Sequence, residues 1–286
     1  IAWAGGVMLL AACTAAPVQP GSRSQHTETP HPSTADEAAK ALMARVADAT
    51  ALWRESCPQP NEHGLCIEFE DHPAARQERC GPTLLGSVVV HPRGDDMAVA
   101  AQRELSAVVS LAGCDSDVGC KREVLRVLPR DPDLKRAFLR SLAQARLARA
   151  DAKLENYFAL PLRTEHVDDS TSEGDSPRLA AKVESFAELD AELVAVKRYR
   201  DHELMLAAAL RVSWMALHLH DEARAQPPSD ARPRSIGCGE LPSNMRRFAS
   251  NAATYCVWEA DRSRSTSKAA RACRALAQTL ADPDPS

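Results

Sequence analysis

Residues 202–225 read HELMLAAALRVSWMALHLHDEARA, and this stretch decides the fold. Two apolar stripes run along it. One is Met205, Ala208, Val212, Met215 and Leu219; the other is Leu206, Leu210, Ser213 and Leu217. Steps of three and four residues place each set on one face of a helix with 3.6 residues per turn. A helix that is apolar on two faces packs on two sides. The sequence therefore predicts a central helix, with Met205 and Met215 in the core rather than in a cofactor box.

The flanking segments repeat the pattern once each. Ala38, Leu42, Val46, Ala49 and Trp53 share a face over residues 36–56, which open on Asp36 as N-cap and end at Pro58 and Pro60. Met97, Ala101, Leu105, Val108 and Ala112 do the same over 95–112, and a short helical stretch is expected over 121–128. Leu134, Phe138, Leu142 and Ala145 lead a longer helix to Tyr157, closed by Pro161. A polar acidic loop is expected over 163–177. Beyond it Leu179, Val183, Phe186, Leu189, Leu193 and Val196 form another stripe. Two last helices are expected over about 241–260 and 266–281. The expected fold is mainly α: antiparallel helical hairpins stacked as a solenoid or an irregular bundle. No clean 34-residue repeat is visible.

Composition agrees. The 286 residues are 44% hydrophobic and 26% charged, with only 12 glycines, which disfavours glycine-rich nucleotide folds and all-β sandwiches. A net charge of −4 does not suit a general nucleic-acid binder. One region departs from helix. Residues 65–69 and 83–91 are β-rich runs broken by proline, glycine and charge, and predict a small two-stranded, disulfide-fixed excursion over about 64–92.

The chain opens with the apolar run IAWAGGVMLLAA, too short to span a bilayer and followed by Cys13. Residues 14–35 are rich in Pro, Ser and Thr and read as a disordered tether. The helical domain is then expected over 36–282. Removing Cys13 leaves Cys57, Cys66, Cys80, Cys114, Cys120, Cys238, Cys256 and Cys273, an even number that suggests disulfides in an exported chain. A local bridge across the turn between Cys114 and Cys120 is plausible on spacing. Cys256 and Cys273 come opposite one another if their helices pack antiparallel. Cys238 and Cys256 fall about 27 Å apart on one expected helix, beyond bridging distance. Cys238 is therefore expected to pair within the group Cys57, Cys66 and Cys80. The rival reading of that group is zinc, held with His63 and His72, although the spacing matches no standard finger.

Leu10-Ala11-Ala12-Cys13 resembles the lipobox of bacterial lipoproteins. That resemblance implies a signal peptide over 1–12, cleavage before Cys13, and lipid attachment there through diacylglycerol and a further fatty acid such as palmitate. Thr14, rather than Asp, implies the outer membrane, facing the periplasm. Three further stretches are similar to tetratricopeptide-like (TPR-like) lipoproteins in the envelopes of gliding and predatory Gram-negative bacteria. They are Cys80-Gly81-Pro82-Thr83 leading through Val88-Val89-Val90, Tyr157-Phe158-Ala159-Leu160-Pro161-Leu162 before the next helix, and Ile236-Gly237-Cys238 with Cys256 and Cys273. Where that family carries a Trp-rich stretch between the last two cysteines, this chain has Trp258-Glu259-Ala260-Asp261-Arg262. The resemblance implies a helical-repeat scaffold in the periplasm.

No motif for a catalytic serine, a zinc protease, a Walker A loop or a dinucleotide fold occurs. No catalytic residue, metal ligand or cofactor is assigned. His218-Leu219-His220-Asp221-Glu222 is the best metal candidate, but residues two apart on a helix point away from each other, so it reads as a polar helix end. Asp168, Asp169, Glu173 and Asp175 read as a solvated loop lacking the EF-hand order, and Asp115 with Asp117 likewise. Arg140, Arg146 and Arg149, and Arg232, Arg234, Arg246 and Arg247, read as solvated faces. Glu68, Glu70, Asp71 and His72 form the only dense polar set on an expected strand, where an envelope hydrolase would have to place its groups. The expected function is a non-enzymatic, lipid-anchored scaffold binding other envelope proteins. A small-molecule or metal binder using the cystine-rich segment is the alternative.

Overall fold

The computed structural model describes residues 35–70, 84–111, 128–162, 175–225 and 240–281, which belong to one compact unit running from Thr34 to Ser286. Among them the elements are α1 (Ala35–Glu55), β1 (Ile67–Glu70), β2 (Ser87–Val90), α2 (Asp95–Leu111), α3 (Pro132–Ala159), α4 (Asp175–Val196), α5 (His202–Arg224), α6 (Glu240–Arg262) and α7 (Lys268–Ala281). A 3-10 turn, Lys197–Tyr199, joins α4 to α5. The fold is mainly helical with one small antiparallel sheet, as the periodicities predict. No described helix is long and apolar enough to cross a membrane.

The helices lie in two rows. In one, α1, α3, α5 and α7 each touch the next; in the other, α2, α4 and α6 fill the gaps, each packed on two members of the first row. This follows from the stripes. An inner-row helix meets neighbours on several sides and needs more than one apolar face. Helix α5 is the extreme case, buried over most of its length, including every member of both sequence-predicted stripes. Helix α3 spans two cores. With α1 and α2 it buries Phe138, Leu142, Ala145 and Ala148 around Trp53, Leu105 and Val108. Its later turns bury Leu154, Tyr157 and Phe158 in the larger core of α4 to α7.

Local chemistry sets the ends. Asp131 caps α3, its carboxylate accepting the N–H of Asp133 (2.7 Å) and Leu134 (3.1 Å), with Pro132 in the first turn. Those two bonds hold the Asp131 carboxyl below the usual carboxylate range. Asp201 caps α5 through the N–H of Leu204. Three expectations shift by a residue or a few. Ala39, not Ala38, is the buried member of the first stripe; Met97 is exposed; and α4 begins at Asp175, inside the segment expected to be loop. In α4 the buried position is Lys182, while Val183 is exposed.

The sheet pairs Ile67 with Val90 through Glu70 with Ser87. It is pinned at both ends to the helices. The N–H of Cys66 donates to Glu155 on α3 (2.8 Å), and those of Leu84 and Leu85 donate to Asp221 on α5 (3.0 and 2.7 Å). Gly86 has φ +81°, and a Cβ there would sit 2.6 Å from the Glu70 carbonyl oxygen. Both conformation and space demand glycine. Gly86→Ala is expected to cost about 1–3 kcal/mol, read by urea unfolding; a loss under 0.5 kcal/mol would show that the hairpin relaxes freely.

Candidate functional groove

The segment after α1 makes a tight loop before it becomes a strand. A disulfide joins Cys57 to Cys66, with S–S 2.03 Å and Cα atoms 5.7 Å apart. Inside it the Asn61 side-chain oxygen accepts the N–H groups of His63 and Leu65, both at 3.0 Å. The Asn61 N–H donates to the Leu65 carbonyl (2.8 Å), and Gly64 turns at φ +80°. This loop sets the His63 ring edge-on to Trp214 of α5, with centroids 5.0 Å apart. Phe69 of β1 packs on the same indole at 5.1 Å.

These groups line a cavity of about 670 Å³ between the loop, β1 and α7. Trp214, Phe69 and His63 supply aromatic surface, and Ala272, Ala275 and Leu276 line it from α7. Glu62, Glu68 and His91 also line it, with Gln59, Asn61 and Thr279 as further polar groups; the two glutamates are mostly exposed and each lies 3.4 Å from a histidine, His63 and His91 respectively. No lysine or arginine is among the described lining residues. Burial holds His63 below the ordinary histidine range, against the pull of Glu62, so its imidazole is neutral at pH 7. The arrangement can hold apolar and aromatic groups and attract a cation at its mouth.

The loop depends on its bridge. Cys57→Ser with Cys66→Ser is expected to cost about 2–3 kcal/mol by loop entropy and to loosen His63 against Trp214. The readouts are thermal unfolding and indole fluorescence; wild-type values for both would remove the loop from the site.

Buried ion pairs tie α3 to the elements around it. Arg93 stacks 3.6 Å from the Trp53 ring centre, donates to Glu155 twice at 2.7 Å, and donates to the Trp53 carbonyl (2.6 Å). Arg211 of α5 pairs with Asp151 and reaches the His63 carbonyl (3.3 Å), tying the loop to the helix row. Arg146 and Arg149 share Glu192 of α4. Arg146 is thus buried rather than on a solvated face.

The segment 218–222 also departs from expectation. It is not a solvated helix end: His218, His220 and Asp221 are buried. His218 lies edge-on to Phe158 (4.9 Å) and Tyr157 (5.8 Å), with the Lys182 ammonium and the Glu222 carboxylate beside it. His220 contacts Asp221 and Arg224 instead, so the two imidazoles serve different neighbours. No group of three or more metal-ligating side chains occurs among the described residues. Burial, reinforced by Lys182, drives the His218 pKa well below its ordinary value. A base whose folded pKa is depressed stabilises least once the unfolded form takes up its proton, so stability is complete above about pH 6.5 and declines below it. Between pH 7.5 and 5.5 the wild type is expected to lose about 1 kcal/mol; His218→Gln should lose much of that slope, and an unchanged slope would assign it elsewhere.

Cys256 and Cys273 are joined across α6 and α7, Cα atoms 5.7 Å apart, as the antiparallel return predicts. The Cys57–Cys66 bond lies within the amino-terminal cysteine group and occupies two of the thiols that zinc would need. Cys13, Cys80, Cys114, Cys120 and Cys238 lie outside the described residues, as do His72, Asp71 and Asp168, Asp169 and Glu173. Glu68 and Glu70 are exposed on the strand, not gathered in a deep catalytic cleft. Sequence reasoning singled out the cystine-rich segment but missed Trp214, which belongs to neither stripe. A lone indole in an alanine-rich helix was the available signal.

No family model matches the chain, and no curated protein and no solved structure matches it either.

Proposed function

We propose that this protein is a non-enzymatic scaffold of the bacterial envelope that holds segments of other envelope proteins in the groove beside Trp214. The observation that carries the reading is the groove itself: about 670 Å³, aromatic on one side, apolar along α7 and acidic at its mouth. Its size falls in the range that also suits small ligands. Stacked helices expose surfaces commonly used to grip peptide segments, and the TPR-like resemblance points the same way. The Leu-Ala-Ala-Cys stretch supports anchoring through lipid on Cys13, with the tether of residues 14–35 carrying the domain into the periplasm from the outer membrane. Nucleic acid is not among the proposed partners.

The test uses the full chain tagged at its carboxyl end, crosslinked in intact cells, with captured proteins identified by mass spectrometry. Cys13→Ser removes the anchor. Ala275→Arg, at an exposed α7 position, fills the groove without disturbing the core. The expected result is a small reproducible set of envelope proteins lost in both variants. A set indifferent to Ala275→Arg would sink the groove as the binding site. Capture of a small molecule, with no protein set, would favour the ligand-binding alternative.

A further inference from the structure

We infer that the end of the molecule where α5 begins and α6 finishes rests on an anionic phospholipid bilayer, with the Trp258 indole at the interface and the cations around it against the phosphates. The inference goes beyond the scaffold reading and depends neither on the groove nor on lipid at Cys13.

Contacts between elements assemble the surface. The 3-10 turn Lys197–Tyr199 leads into α5, and residues 263–267 join α6 to α7. His202 pairs with Glu259, and the Ser265 hydroxyl donates to Glu203 at 2.6 Å, so both turns lie at the same end of the helices. The Lys197 ammonium lies 4.3 Å from the Tyr255 ring centre, and the Arg262 guanidinium 5.0 Å from that of Trp258. The two rings are 5.9 Å apart. An aromatic pair is thus flanked by two cations.

Charge at this end runs against the rest of the chain, whose net charge is −4. Residues 197–203 carry three basic residues and two acidic ones, and residues 259–274 carry five and two. Three of the acids are also engaged by the fold. Glu259 is 0% exposed and accepts from Arg262, Asp201 caps α5, and Asp261 accepts from Arg274. Arg200 and Arg264, by contrast, are exposed at the tips of the two turns, with φ of 58° and 51°.

Exposed apolar groups select the occupant. Trp258 is 55% exposed, and Val194, three residues before Lys197, is 41% exposed. A soluble polyanion would be held by the cations alone and would leave this indole and valine in water. A bilayer takes both kinds of group: indole rings settle at headgroup level, and basic residues are drawn to anionic lipid.

The probe is vesicles of phosphatidylcholine alone or with one-third phosphatidylglycerol, mixed with the full chain carrying Cys13→Ser so that no acyl chain contributes. Cosedimentation reads the partitioning. Residues 1–12 are common to every variant, so differences between variants report the surface. The expected result is at least tenfold stronger partitioning onto the phosphatidylglycerol vesicles, weakened by salt. Trp258→Ala should weaken it at least threefold. Arg200→Asn with Arg264→Asn, which suits the left-handed backbone at both positions, should weaken it at least fivefold. All three positions are exposed, and unchanged thermal unfolding confirms that the variants keep the fold. Brominated lipid chains should quench the wild type more than Trp258→Phe. Equal quenching of those two proteins places the indole outside the interface and overturns the inference. Equal partitioning onto both vesicles, or partitioning indifferent to the arginine pair, overturns the charge assignment. Binding of soluble polyphosphate, together with vesicle binding indifferent to Trp258→Ala, would make this a polyanion site instead and also overturn it. Capture of envelope proteins through the groove is read separately, so either proposal can fail without the other.

Discussion

Lys182→Met is expected to lower the unfolding free energy by about 3–5 kcal/mol at pH 7. Lys182 is 1% exposed, yet it is fully partnered. Its ammonium donates to the carbonyls of Tyr157 (2.6 Å) and Leu160 (2.5 Å), sits 3.0 Å from Glu222, and lies 4.3 Å from the Tyr157 ring centre. The two carbonyls end α3, where helix carbonyls lack intrahelical donors and the helix dipole is negative. A cation from α4 therefore closes the carboxyl end of α3 and balances Glu222 of α5. Burial pulls the Lys182 pKa down and the Glu222 pKa up, and their mutual attraction opposes both. Methionine fills the volume but takes the ammonium from both carbonyls, leaving Tyr157 only the Leu160 N–H (3.3 Å), and strips a half-buried carboxylate of its cation. Adding Glu222→Gln should recover part of the loss, because the orphaned charge is then gone. Urea unfolding of the three variants measures this. A loss below 1 kcal/mol for Lys182→Met would mean that water or a shifted helix replaces the cap.

Arg211→Met should be comparably damaging, with a pH dependence of its own. Its guanidinium pairs with Asp151 in the core, holding the second carboxylate oxygen at 2.9 Å, and also donates to the carbonyls of Ala207 (3.1 Å) and His63 (3.3 Å). Burial raises the Asp151 pKa even with Arg211 opposing the rise. Without the arginine the carboxyl moves higher still. A raised acid keeps a proton in the folded state that the unfolded chain gives up, so stability is greatest at low pH and falls as pH climbs toward the folded pKa. The variant is thus expected to lose about 3–5 kcal/mol at pH 7.5 and markedly less at pH 5. Arg211→Met with Asp151→Leu should restore most of the stability, since the unpaired charge is removed. An equal loss at both pH values would indicate lost packing rather than an orphaned carboxylate. The His63 carbonyl adds a functional readout. Losing its bond should loosen the groove loop even in the restored double variant.

The apolar periodicities were enough for the helices, because a surface stripe at steps of three and four has few other ways to be buried. They were also enough to make α5 central: two stripes on one helix require neighbours on two sides. The β excursion was legible for a different reason, since valine-rich runs bounded by proline and glycine next to cysteines fit little else. The antiparallel return across a short polar turn likewise brought Cys256 to Cys273. Periodicity fails at a resolution of one residue. Lys182 and Val183 both continue the α4 stripe within its tolerance, and the apolar one was the natural choice. Only the carboxyl end of α3, arriving from another part of the chain, selects the lysine.

The groove shows the same division. Sequence marked the cystine-rich segment 57–80 as unusual, and its turn residues Asn61 and Gly64 hint at a tight loop. Nothing local connects that loop to Trp214, some 150 residues further on, or to the alanine face of α7. Such a cavity is created by helix packing, which depends on pairwise surface fit and leaves no periodic trace. The buried charges follow the same logic: Arg146, His218 and Asp221 read as surface residues because isolated charge is costly to bury, and only their partners on other elements make the interior acceptable. The sequence by itself determined a helical protein with a central α5 and a small disulfide-fixed hairpin, because burying apolar stripes dominates folding. Tertiary structure alone decided which charges go inside and where a groove opens, because those outcomes depend on groups that meet only when the chain has folded.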